Sequence, residues 1–251
     1  MIPGFSKTDL AAICIFLVCW LLYHFLVEHP RLGGLTLNAR MNAYRHAWMQ
    51  EMLKRDNRIL DSQIMAALHQ GSAFFASTSL IAVGGALSLV RSGDEIAKVF
   101  ADLPFGASAS ASVWETKVIG LAIIFIYAFF KFAWAYRLFN YAAILLGAVG
   151  SAKEIDAEAQ LRAHRASQMI VVAGRHFNRG QRGFFFSLAY LGWFLGPLVF
   201  MFATVAALLV MANRQFGSDA LEAIRIELPK PEVAGQSSPL TSPPVPRTTP
   251  P

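Results

Sequence analysis

Residues 71–90 read GSAFFASTSLIAVGGALSLV, a run without one charged side chain. At about 1.5 Å of rise per residue, a helix of that length covers about 30 Å, the hydrocarbon thickness of a bilayer. The run is therefore read as a transmembrane helix. Its small residues, among them Ser72, Ala76, Gly84 and Gly85, suit the close approach on which helix association in lipid relies.

Three further apolar blocks flank it. Residues 10–27 are interrupted only by His24, 114–150 only by Glu115, Lys117, Lys131, Arg137 and Asn140, and 184–211 contain Gly192, Gly196 and Pro197. The predicted fold is all-α, a polytopic membrane helix bundle with four transmembrane helices at about 10–27, 71–90, 114–134 and 186–210, and amphipathic cytoplasmic helices in the segments 28–70 and 135–183. The block 114–150 exceeds one perpendicular crossing. It either continues as an interfacial stretch through Arg137, Asn140 and Tyr141 or turns back as a re-entrant hairpin. Gly192 and Gly196 form a GxxxG pair beside an expected kink at Pro197. One membrane domain is expected over 1–212, followed by a disordered tail, 213–251, in which proline, serine and threonine dominate from 228 onward.

The composition supports this reading and excludes others. Hydrophobic residues make up 55% of the chain and charged residues 15%, unlike an ordinary soluble domain. The net charge of +6 does not indicate nucleic acid, because Lys and Arg flank the apolar blocks instead of forming a stripe. Six of them fall in 28–70 and eight in 131–183, against one before the first span, three in 91–117 and four after the fourth. The positive-inside rule makes the two basic loops cytoplasmic. With four crossings, the N-terminus and the C-terminus then both lie outside, in a bacterial inner membrane. Cys14 and Cys19, five positions apart in one helix, are poorly placed for a disulfide.

Polar chemistry concentrates in the basic loops. Met41, Tyr44, Trp48 and Met52 recur at helical spacing, a stripe for the membrane surface or for the other cytoplasmic loop. It leads into Arg55, Asp56, Arg58 and Asp61. Ser151 and Glu154 have capping-box spacing. These features predict one charged layer of Arg55, Asp56, Arg58, Asp61, Arg137, Asn140, Asn178 and Arg182, with Asp61 facing Arg137 and Asn140. Arg175, Arg179 and Arg182, with Gly180 and Gly183, form a possible contact for anionic lipid. His24, Glu28, His69 and His176 are the only set from which a metal or haem site could be drawn, and no cofactor is expected.

Three groups of residues together resemble an uncharacterised family of bacterial multi-span membrane proteins, a domain of unknown function. They are Trp48, Met49, Met52 and 55–61; Gly71, Phe74, Phe75 and 76–79; and Lys131, Phe132, Trp134, Arg137, Asn140 and Tyr141 with Phe177, Asn178, Gly180, Arg182 and 184–186. The resemblance spans most of 5–212. It implies a membrane address and a shared cytoplasmic face, with no activity to carry over. Because the spans are rich in packing residues and poor in charge, the expected role is a non-enzymatic interaction or scaffold protein. Its partners would be the lipid bilayer and another membrane protein or a second copy of the chain. The alternative is a transporter or channel component lined by Ser77, Thr78 and Ser79.

Overall fold

The computed structural model describes residues 4–29, 34–91, 111–150 and 155–225. They form helices α1 (Lys7–Glu28), α2 (Leu37–Leu53), α3 (Ile59–Arg91), α4 (Ala111–Gly147), α5 (Ala157–Leu195), α6 (Pro197–Phe216) and α7 (Asp219–Arg225), with no strand among the described residues. Four segments are long and apolar enough to cross a membrane: Lys7–Glu28, Ile59–Val90, Ala111–Gly147 and Pro197–Ile224. The chain is a polytopic helical membrane protein.

Local sequence sets the helix starts. Ser6 and Asp9 close a capping box on α1, and the side chain of Thr36 accepts from Ala39 N at the start of α2. Asp156 caps α5 by accepting from Ala159 N at 2.7 Å; each satisfies an otherwise orphaned amide. The predicted pair Ser151 and Glu154 lies outside the described residues.

α4 has 37 residues and α5 has 39, or about 55–60 Å each. The block 114–150 is therefore one crossing whose helix runs on well beyond the bilayer, not a re-entrant hairpin. α5 lies antiparallel along it, because Gly180 and Gly183 let the rings of Phe132 and Tyr127 approach. A Cβ on Gly180 would stand 2.8 Å from the Phe132 ring.

This pair carries two packed storeys. In one, Met49 and Met52 of α2 meet Phe139 and Ala142 of α4 and Ala163, Ala166 and Ile170 of α5. Trp48 and Met52 of the α2 stripe thus pack on α4 and α5, while Met41 and Tyr44 stay exposed. Here burial draws on the hydrophobic effect, about 1.5–3 kcal/mol per large side chain. In the other storey Phe16 packs on Phe186, Tyr190 and Phe200 with ring centroids 5.2 to 5.6 Å apart. Lipid is as apolar as that core, so dispersion and shape carry the contact. Outward-facing Leu198 and Phe202, 72% and 78% exposed, present the matching lipid surface.

The expected span 186–210 is not one segment. Gly196, at φ +145°, ends α5, and Pro197 begins α6. α6 then folds back along α5. Gly192 faces Val199 O and Phe200 Cα, and Arg214 lies over the Phe185 ring, 5.3 Å from its centroid. What reads as a kink is a reversal, permitted by a backbone conformation open to glycine and by a proline preset for a first helical turn. Consequently the start of α1 and the end of α6 lie at opposite ends of the bundle. Trp193 Nε1 donates to Asp9 near the start of α1, whereas Asn38 N donates to Gln215 near the end of α6. The chain after Phe216 therefore starts at the end of the bundle opposite the start of α1, not on the shared face expected of the two termini. Helical residues also continue through Arg225, past the expected tail boundary at 213.

Candidate functional site at the basic end of the bundle

At the end of α1, Glu28 receives a two-pronged contact from Arg179: Nε donates to Oε1 at 2.8 Å, and Nη2 to Oε2. Arg182, 6% exposed, donates to the same Oε1 at 3.2 Å and to His24 Nδ1 at 2.9 Å. A guanidinium only donates, so His24 Nδ1 accepts and the ring carries its proton on Nε2. One carboxylate thus serves two arginines. Arg175, one turn earlier on α5, is exposed.

Two cavities open beside this cluster. One, of about 290 Å³, is lined by Glu28, Asn38, Asn42, Arg175, Asn178 and Arg182, among others. The second, of about 60 Å³, shares Asn38, Asn178 and Arg182 and adds Gln181, Arg214 and Gln215 on its polar side. Its other wall is apolar, with Tyr23, Phe185 and Met211. Nearby, the Arg45 guanidinium lies over Gly174 and donates to Asn42 Oδ1. Burial pulls the Arg45 pKa below the ordinary arginine value, and among the described residues no carboxylate pairs with it.

The predicted charged layer divides in two. Asp61, fully buried, accepts at one oxygen from Trp48 Nε1 at 2.6 Å and from Arg55 Nη1 at 2.9 Å. Its other oxygen has no hydrogen-bond partner among the described residues. Arg58 donates to Val149 O and Gly150 O, capping the end of α4, a suitable place for a cation. Arg137 instead donates to Tyr141 at 2.7 Å, Asn140 is exposed, and Asp56 is exposed. Asp61 therefore does not meet Arg137 or Asn140: positions 137 and 140 fall on the outer face of α4, away from α3. Asn178 and Arg182 belong to the Glu28 cluster.

The four metal candidates do not converge. His24 and Glu28 are neighbours at 3.2 Å, but His69 packs on Tyr136 and Phe139, and His176 packs on Trp134. Among the described residues no group of three His, Cys, Asp or Glu could hold a metal. Burial, followed by the charges of Lys131, Arg179 and Arg175, holds the His176 pKa below the usual histidine value. Gly180 and Gly183 are filled by aromatic rings, so they do not cradle an anion. Asn38, Arg45, Arg214 and Gln215 were not singled out in the sequence. Arg45 follows Asn42 by one helical turn, but nothing local shows that α6 returns to this end.

A filled aromatic interior, membrane-length helices and a charged cleft at one end define a helical membrane protein with an interfacial polar site. Residues 11–220 match the family described as "Protein of unknown function, DUF599", and the chain belongs to it. No curated protein and no solved structure matches the chain.

Proposed function

We propose that this protein is an interaction or scaffold component of a bacterial inner membrane, with the start of α1 outside and the basic end in the cytoplasm. What carries the interaction role is the filled interior. Phe16, Phe186, Tyr190, Trp193 and Phe200 pack together across the bundle, and none of the cavities described above is lined by Ser77, Thr78 or Ser79. Thr78 and Ser79 donate back to Phe74 O and Phe75 O of their own helix, which leaves a transport path without its polar lining. By contrast, α3 has open space beside Gly71, Gly84 and Gly85, room for another helix to approach.

The orientation rests on charge. With α6 returning to the basic end, eighteen of the 22 Lys and Arg residues belong to segments on that side and four to the other, a stronger bias than four crossings would give. A cysteine at Gly84, in a background lacking Cys14 and Cys19, should form a cross-linked dimer or a discrete adduct in native membranes. Absence of any such product, together with solute or ion flux through the purified protein in liposomes, would instead establish transport.

A further inference from the structure

We infer that the cleft between α1, α2, α5 and α6 binds a phosphate-bearing anionic headgroup, with the acyl portion of a lipid along its apolar wall. Four guanidiniums, Arg45, Arg175, Arg179 and Arg182, lie in or beside the larger cavity, and Arg214 lines the smaller one, yet among the described residues Glu28 is the one carboxylate lining either. That carboxylate is already engaged by Arg179 and Arg182. Among the described residues the cleft thus carries a surplus of positive charge, with Arg175 and Arg214 exposed where an incoming anion can reach them.

The remaining polar wall combines His29 and Thr36 with several amides. Asn38, Asn42, Asn178 and Gln215 present donors suited to phosphate oxygens. The larger cavity, about 290 Å³, approaches the lower end of the range of small-molecule sites, about 300–1,000 Å³. Tyr23, Val27, Phe185 and Met211 continue the cleft toward the membrane storey, giving the ligand an apolar half. This amphipathic division favours a lipid over a soluble phosphate. The inference goes beyond the interaction role and does not depend on it.

The test is the melting temperature of the full chain in a zwitterionic detergent, with phosphatidylglycerol, phosphatidylcholine or inorganic phosphate added. Phosphatidylglycerol should raise the midpoint by a few degrees, phosphatidylcholine should not, and Arg175→Gln with Arg214→Gln should remove the shift. Both residues lie outside the buried Glu28 pairs, so the double variant keeps its fold, checked by its melting without lipid. An equal shift with inorganic phosphate would assign the same chemistry to a soluble anion and remove the acyl half of the inference. No shift, an equal shift with phosphatidylcholine, or a shift that survives in the double variant would overturn the site. Cross-linking at Gly84 reads a different face, so failure there and failure here are separable.

Discussion

Trp193 shows how one residue's backbone dictates a partner far away. In an uninterrupted helix its carbonyl would accept from residue 197, but Pro197 has no N–H to give. Lys117, 4% exposed, donates to that oxygen at 3.0 Å and lies over the same indole at 5.0 Å. Replacing the missing amide with an ammonium also places a cation at the C-terminus of α5, where the helix dipole favours it. Lys117→Met should therefore leave a buried carbonyl unmet and cost about 1–3 kcal/mol, read as a lower melting midpoint in detergent. Unchanged melting would mean that the carbonyl is satisfied otherwise. In the sequence Lys117 reads only as the last charge of a loop, because its acceptor lies 76 positions later.

Among the elements, the α5–α6 hairpin depends on two glycines for different reasons. Gly192 faces backbone: an added Cβ would stand 3.3 Å from both Phe200 Cα and Val199 O, atoms that cannot swing aside. Gly196 has open space but φ +145°, a region that costs other residues on the order of 1–3 kcal/mol. Gly192→Leu and Gly196→Ala should both lower the melting midpoint, Gly192→Leu more, whereas Gly84→Ala should leave it unchanged. Wild-type melting of Gly192→Leu would show that the hairpin does not close as described. The GxxxG spacing and the proline were legible in the sequence, and so was a kink at Pro197. Whether the chain bends or reverses there was not, since Pro197 serves a kink and a first turn equally well. Likewise, the apolar length of α4 was plain, but its continuation as one rigid helix depends on α5 lying beside it.

At the scale of the whole molecule, parity decides the address of the C-terminal segment. The described end of α6 is held at the basic end by Asn38 and Gln215, so a reporter fused after Phe216 should be active if it works in the cytoplasm. Activity of an exported reporter at that site would refute the proposed orientation. Hydropathy revealed α1, α3, α4 and α6 because each faces lipid over much of its surface. It hid the second half of α5, where Arg179, Gln181 and Arg182 precede 184–195. Those arginines meet Glu28 and His24 in place of lipid, and the apolar run 184–195 beyond them is too short to read as a crossing of its own.

That hidden segment constrains how the protein is made. An arginine at the centre of a lone helix costs about 2.5–3.5 kcal/mol to insert, and α5 brings two near the membrane boundary. Glu28, which pairs with both, is synthesised 151 positions before Arg179. The first helix, made well before α5, therefore carries into the bilayer the acid that the arginines of α5 later meet. The earliest helix supplies the counter-charge that a much later one needs at the membrane boundary.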